Sequence, residues 1–228
     1  QLDGQSLVAR AIFVGMSQGP PDIRALSQEE LTQALLNLGE KPFRTKQVSE
    51  WLWTHAAGSF EEMTSLGKGL RSKLSESFSL RRIELAEAQY SKDGTVKCAF
   101  QIDGDDQRVV EGVLIPTKKR VTACISSQVG CGLACKFCAT GRLKLLKNLT
   151  AGEMYDQVQM LNALAHKQHD KGLSNIVYMG MGEPLLNYRN LIASVDRITG
   201  TPGLAMSPKR ITVSTAGIGS AIKRLGDD

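Results

Sequence analysis

Three cysteines fall within eight residues, Cys131-Gly132-Leu133-Ala134-Cys135-Lys136-Phe137-Cys138, with the spacing C-x3-C-x2-C. Redox and structural zinc motifs pair cysteines two residues apart and repeat the pair at a distance. Here there are three ligands and no second pair. Thiolates are soft ligands that suit iron–sulfur clusters as well as zinc. A four-iron cluster held by three cysteines keeps one iron without a protein ligand, and an open coordination position marks a metal that does chemistry. The competing reading is a closed zinc knob that recruits Cys124 as fourth ligand.

The chain holds five cysteines in 228 residues, an odd number with three of them crowded, which sets it apart from secreted disulfide scaffolds. A reducing cytoplasm is the compartment expected. No apolar run approaches the length of a membrane span, and Ala11-Ile12-Phe13-Val14 is too short for a signal-peptide core. The formal net charge of +5 favours a polyanionic partner without identifying it.

Residues 1–24 lack periodicity and contain Gly19-Pro20-Pro21; they read as an extension without fixed structure, with Met16 as an alternative start. Ser27 and Glu30 form a capping box ahead of Leu31, Ala34, Leu35 and Leu38, and Gly39 is placed to stop that helix. A second helix is expected to carry Val48, Trp51, Leu52 and His55 on one face, with His55 a packing or surface residue. A third is expected from Ser65 to Phe78, with Leu66, Leu70, Leu74 and Phe78 at intervals of four.

From Arg82 the period becomes two, predicting strands at Ile83–Ala88, Thr95–Phe100 and Val109–Ile115, with hairpin turns at Asp93-Gly94 and Asp103-Gly104. Cys98 reads as a small core residue in the middle strand. Beyond lies an alternation: strand Val121–Ser127, the cysteine loop, helix Leu149–His169 capped by Thr150 and Glu153, strand Asn175–Met179, helix Tyr188–Ile198, strand Arg210–Ser214 and a last helix to Leu225. Strands that alternate with helices imply parallel pairing, with chemistry at the carboxyl ends of the strands. The fold class is therefore α/β.

A second constellation, Met179-Gly180-Met181-Gly182-Glu183-Pro184, comes after the next strand. Its glycines let a backbone approach a ligand closely, and Glu183 offers a carboxylate to an ammonium or to hydroxyls. Together, C-x3-C-x2-C and this Gly-Glu-Pro turn resemble radical S-adenosylmethionine (SAM) enzymes. In that superfamily the amino and carboxylate groups of SAM chelate the open iron of a 4Fe-4S cluster. The reduced cluster then cleaves SAM to a 5′-deoxyadenosyl radical. Five further blocks narrow the resemblance: 39–44, 126–131, 148–153, 180–188 and 209–217 are similar to the RlmN-type RNA methyltransferases. These methylate C2 of an adenosine in 23S rRNA and, in many bacteria, in tRNA.

The resemblance implies a partial (βα) radical-SAM barrel, truncated after about three βα units. It would divide the chain into an extension at 1–24, a helical N-terminal domain of RNA-binding type at 25–80, a β-hairpin linker at 81–118 and an incomplete radical SAM domain at 119–228. It also implies roles. Cys131, Cys135 and Cys138 match the cluster ligands; Gly182, Glu183 and Ser214 match SAM contacts. Glu111 matches the acceptor of the C2 proton, and Cys124 the cysteine that resolves a protein–RNA adduct through a disulfide bond. Without the resemblance, Glu111 reads as an exposed strand carboxylate and Cys124 as a core thiol. The implied partners are 23S rRNA, tRNA and an electron donor such as flavodoxin, with no membrane, and the protein acting as a monomer. The family's methyl-carrying cysteine has no counterpart, since no cysteine follows Cys138. The alternatives are a non-catalytic RNA-binding protein with a structural metal, for which Lys118-Lys119-Arg120 and Lys136, Arg142, Lys144 and Lys147 supply phosphate contacts, and a radical SAM enzyme acting on another substrate.

Overall fold

A computed structural model describes residues 19–102 and 105–227. The chain forms two compact units. One extends up to Val48 and takes in Ala57–Arg81; the other holds Ser49–Ala56 and everything from Arg82 onward.

The first unit is helical. Helix α1 (Gln28–Asn37) starts at the expected capping box: the Glu30 amide donates to the Ser27 hydroxyl at 3.1 Å, and the Ser27 amide to the Glu30 carboxylate at 2.8 Å. It ends where Gly39 takes φ +79° and the Glu40 amide reaches back to the Leu35 carbonyl at 2.9 Å. Helix α2 (Arg44–Ser49) comes next. Helix α3 (Lys68–Ser77) is shorter than the leucine spacing implies: Gly67 occupies its N-cap, and Phe78 is extended. Leu66, Leu70 and Leu74 are all buried, so a turn at 64–66 keeps Leu66 in the core without a helix. Residues 22–24, expected within an extension without fixed structure, have defined structure. Asp22 caps a short 3-10 turn at Ile23–Ala25, the Ile23 amide donates to the Ser79 carbonyl at 3.0 Å, and Ile23 is buried.

The second unit opens with a π-turn at Glu50–Thr54, where the His55 amide donates to the carbonyl of Glu50, five residues back, at 3.0 Å. Each π-type bond adds a residue to the turn and rotates the side chains beyond it about the helix axis. The expected face is therefore displaced: Leu52 and Trp53 are buried, Trp51 is half-buried and His55 is exposed. Trp53 meets Tyr155 edge-on with ring centroids 5.5 Å apart, and the Arg197 guanidinium lies over the Trp53 ring at 4.6 Å.

The core of this unit is one six-stranded sheet. In spatial order its strands are β1 (Glu84–Tyr90), β2 (Val96–Ile102), β3 (Asp105–Pro116), β4 (Val121–Cys124), β7 (Asn175–Tyr178) and β8 (Ile211–Val213). The intervening β5 (Gln128–Val129) and β6 (Lys147–Asn148) form a small pair of their own. The first four strands of the large sheet pair antiparallel; β4, β7 and β8 pair parallel. The hairpin linker expected before the α/β alternation is thus no separate segment, because β3 pairs directly with β4. The Asp93-Gly94 turn forms as expected, with Gly94 at φ +85°, whereas Asp103-Gly104 lies outside the described residues. Helix α4 (Ala151–His169) joins β4 to β7, α5 (Tyr188–Thr199) joins β7 to β8, and α6 (Gly219–Asp227) comes after β8.

Alternation along the strands divides the sheet into two faces. Val96, Cys98, Phe100, Val110, Leu114, Ala123, Ile176 and Tyr178 are all buried on one face. The Tyr178 hydroxyl pairs with Ser194 of α5 at 2.6 Å, and burial pushes its pKa well above the usual phenol value. An ion pair of Arg82 with Asp156 at 2.9 Å ties the entry of β1 to α4. The register sets Glu111, Val113, Thr122 and Cys124 on the opposite face, which is half-buried or exposed.

Helix α4 starts with a second capping box: the Glu153 amide donates to the Thr150 hydroxyl at 3.2 Å, and the Thr150 amide to the Glu153 carboxylate at 2.8 Å. Thr150→Ala is expected to cost about 1 kcal/mol of stability, read as a lower denaturation midpoint at unchanged slope. Thr150→Ser should restore it; equal midpoints for the Ala variant and the parent would remove the cap from the account.

Candidate functional site

Strand β4 stops at Cys124, three residues short of the expected end. Past it the chain leaves the sheet while still buried: Ile125, Ser126, Ser127 and Gln128 are at most 1% exposed. Buried backbone groups need partners, and here side chains supply them. Gln157 of α4 accepts from the Ser126 amide at 2.9 Å and donates to the Ser126 carbonyl at 3.0 Å. Asn187 donates to the carbonyls of Ser127 at 2.9 Å and Leu149 at 2.7 Å. The strand pattern misses this because the missing ladder bonds come from residues 31 and 60 positions away.

The cysteine loop grows from this segment. Its neck is the antiparallel pair of β5 with β6. Gly130 has φ +76°, and a Cβ there would lie 2.0 Å from the Lys144 carbonyl oxygen, so only glycine allows the loop to close on itself. Within the loop the Cys138 amide donates to the Cys135 carbonyl at 3.1 Å, and the Cys131 amide to the Leu143 carbonyl at 3.4 Å. Cys131, Cys135 and Cys138 are half-buried, beside a 95% exposed Phe137. Three soft donors on one stapled loop suit an iron–sulfur cluster in their chemistry. The thiols do not converge, however: among the described residues no three His, Cys, Asp or Glu side chains are arranged to hold a metal ion. Thiols have no mutual attraction, and it is a shared metal that draws such ligands together.

The loop after β7 presses onto the same buried segment. The Gly180 amide donates to the Ile125 carbonyl at 3.0 Å, and the Ser127 amide to the Met181 carbonyl at 2.9 Å. The Met181 amide donates to the Ser126 hydroxyl at 2.8 Å, which in turn donates to the Glu111 carbonyl at 2.6 Å. Added Cβ atoms on Gly180 and Gly182 would lie 2.6 Å from Ser126 Oγ and 2.5 Å from Gln128 Cβ. The close approach that demands glycine is therefore to the chain's own 126–128 segment.

Gly182, Glu183 and Ser214 line one cavity of about 250 Å³ at the carboxyl ends of β7 and β8, together with Met179, Thr215 and Ala216. Glu183 is 3% exposed; its carboxylate accepts from the Leu185 amide at 3.0 Å and the Ala216 amide at 2.7 Å. Each oxygen retains a further lone pair. Among the described residues no Lys, Arg or His pairs with it, so its charge suits a cationic group of a ligand such as the ammonium of SAM. Thr215 and Ala216, which the sequence reading did not assign, complete the cavity.

Glu111 and Cys124 share the open face of the sheet. Cys124 lies opposite Val113, two residues along β3 from Glu111. The Glu111 carboxylate pairs with Lys97 across the β2–β3 ladder at 2.5 Å, both side chains about half exposed. Such pairs contribute little to stability. Burial pushes the Cys124 thiol above its ordinary pKa, with a hydrogen bond from the Met179 backbone pulling it partly back. All five cysteines are free thiols, so Cys124 is in no disulfide.

Residues 22–80 match the family model for the ribosomal RNA large subunit methyltransferase N-terminal domain. The chain is 50% identical over 216 residues to the "probable dual-specificity RNA methyltransferase RlmN" of Christiangramia forsetii, covering 95% of this chain and 61% of that protein. It is 42% identical over 212 residues to the dual-specificity RNA methyltransferase RlmN of Anaeromyxobacter dehalogenans, covering 91% and 56%. A crystal structure of a radical SAM methyltransferase from Sphaerobacter thermophilus superposes with a TM-score of 0.81 at 36% identity, covering 92% and 61%. The chain thus spans about 60% of the length of these relatives.

A raised thiol pKa means less thiolate at a given pH, and the thiolate is the species that alkylates. The pH midpoint of iodoacetamide labelling at Cys124, read by peptide mass spectrometry, should lie above that of free cysteine in the same tube. A midpoint below free cysteine would mean that Cys124 is not desolvated.

Proposed function

From these likenesses we propose that this chain belongs to the RlmN family of radical SAM methyltransferases, and that the activity it serves is methylation of C2 of an adenosine in 23S rRNA and in tRNA. The observation that carries the reading is the joint placement of the cysteine loop and the Gly182–Glu183–Ser214 cavity on one buried segment, at the carboxyl ends of parallel strands. The sheet and its helices are proposed to be part of a (βα) barrel, with the helical unit as its RNA-binding-type partner domain.

Each residue has a role in this reading. Cys131, Cys135 and Cys138 would hold a 4Fe-4S cluster, and Gly182, Glu183 and Ser214 would bind SAM. When bound, the cluster and SAM supply the radical chemistry and the methyl group. Glu111 accepts the proton that leaves C2, a task for a carboxylate within reach of the base. Cys124 would attack as a thiolate on the sulfur that links protein to RNA, so that an S–S bond forms as the carbon–sulfur bond breaks and the freed carbon takes a proton to become the methyl group. Burial raises the Cys124 pKa, which lowers the share of thiolate at a given pH. The scheme also needs a thiol to carry the methyl group. Three of the five cysteines are assigned to the cluster and Cys124 to resolution. Cys98 is fully buried in the β2 core, its pKa pushed up to about 11 by burial. No thiol remains for the carrier role in these residues. The cytoplasm, a monomeric state and an electron donor such as flavodoxin complete the proposal.

Iron and sulfide per chain, measured after anaerobic reconstitution, test the ligand set. Cys131→Ala, Cys135→Ala and Cys138→Ala should each lose the cluster, and Cys124→Ala should retain it. Zinc without sulfide, or equal iron loss in Cys124→Ala, sinks the assignment. Glu183→Ala in a folded, iron-loaded chain should weaken SAM binding roughly ten- to a hundredfold.

The thiol count makes a separate prediction. The 228-residue chain, given SAM, a reductant and a ribosomal RNA fragment, should yield 5′-deoxyadenosine without 2-methyladenosine by nucleoside mass spectrometry. Methylated adenine above a no-enzyme control would mean that Cys98 carries the methyl group or that no carrier is needed.

A further inference from the structure

Gln128 is buried at 0% exposure and sits in the neck of the cysteine loop, where its backbone pairs with Asn148. Its side chain does something the neck does not require. Oε1 accepts from the Glu183 amide at 2.8 Å, while Nε2 donates to Asn148 Oδ1 at 2.7 Å. The orientation of the amide is set by chemistry: a backbone N–H can only donate, so the oxygen must face Glu183, and the nitrogen then faces Asn148. Gly182, at φ +93°, packs on the Gln128 side chain so closely that a Cβ would lie 2.5 Å from Gln128 Cβ. One side chain thus joins the closing strand of the cysteine loop to the backbone of the residue whose carboxylate faces the β7–β8 cavity.

We infer that Gln128 is a positioning residue. It fixes the Glu183 turn against the neck of the cysteine loop, and so holds the group that receives the SAM ammonium at a set distance from the thiols that receive the cluster. The inference rests on the reading of Cys131, Cys135, Cys138 and Glu183 given above. A ligand that must touch both loops at once is sensitive to their separation, because misplacement of one contact loses the other. Gln128 is not among the residues that line the cavity; it acts through the Glu183 backbone. Asn148 is the exposed end of the same chain of bonds.

The test uses the 228-residue chain reconstituted anaerobically, with three readouts: iron per chain, SAM affinity at equilibrium, and the change in the electron paramagnetic resonance signal of the reduced cluster when SAM is added. Gln128→Met keeps the volume and removes both bonds. It is expected to load iron as the parent does, to bind SAM about tenfold more weakly, and to reduce the SAM-induced spectral change. Asn148→Ala lies at the surface and removes one bond; it should weaken SAM binding by a smaller factor. Asn148→Asp, whose carboxylate accepts the same Nε2 donation, should match the parent. That pair decides the matter alone if Gln128→Met does not fold.

Effects of Gln128→Met and Glu183→Ala on SAM affinity should also be non-additive, since they act on one contact. Parent-like SAM affinity in both Gln128→Met and Asn148→Ala overturns the inference and leaves the Glu183 reading standing. Iron loss in step with affinity confines Gln128 to holding the cysteine loop, and overturns it too. Failure of the parent chain to take up iron or SAM is a different result, which removes the functional reading together with this inference.

Discussion

The structure depends on how the chain leaves β4. A strand that ends inside a protein leaves N–H and C=O groups without ladder partners, and each costs on the order of 1–3 kcal/mol if it stays unpaired. Ile125 still bonds to the Val177 carbonyl and the Gly180 amide, and Gln128 starts β5, but at Ser126 and Ser127 the segment is buried and neither helix nor sheet continues. Gln157 takes the place of a neighbouring strand for Ser126, and Asn187 does so for Ser127. The Met181 carbonyl accepts from both the Ser127 and Gln128 amides, at 2.9 and 3.2 Å. Helix α4, the turn before α5 and the loop after β7 are thereby all anchored to four residues.

Several features of the candidate site depend on that anchor. The cysteine loop starts from a fixed point, so its neck needs only two pairs of residues. The Met179–Pro184 turn is moulded on the same surface, which explains its glycines without any ligand. The Ser126 hydroxyl links that turn to the Glu111 carbonyl, placing the end of β7 and the middle of β3 in one network. Networks of this kind are costly when half satisfied and rigid when complete. Rigidity suits a site whose groups come from five separate parts of the chain.

Where the sequence reading and the structure differ, the cause is a contact distant in sequence or a local rule that leaves periodicity unchanged. The Val48-Trp51-Leu52-His55 face fits an ideal helix, but the π-turn at Glu50–Thr54 turns Trp53 inward instead, where Tyr155 and Arg197 receive it. Leu66 keeps the spacing of a helix while lying outside one, because burial constrains the position of the side chain and not the backbone that delivers it. Asp22 and Ile23 read as extension until Ser79 supplies a partner. The strands from β1 to β3 look like a linker because their alternation differs from that of the α/β half; only the pairing of β3 with β4 makes them one sheet.

By itself the sequence determined the capping boxes at Ser27 and Thr150, the Gly39 stop, the order of strands and helices after Val121, and the two motifs from which the candidate site is built. All of these rest on residues within a few positions of one another, where geometry is set by bonded neighbours. Tertiary structure alone decided that Glu111 and Cys124 share a face, that Gly182, Glu183 and Ser214 share a cavity, and that Gln128 joins the two loops. Those relations hang on sheet register and on hydrogen bonds spanning between 15 and 60 residues of chain. A side chain's residue type says which bonds it is able to make. Which partner it meets depends on the packing of elements that no local pattern encodes.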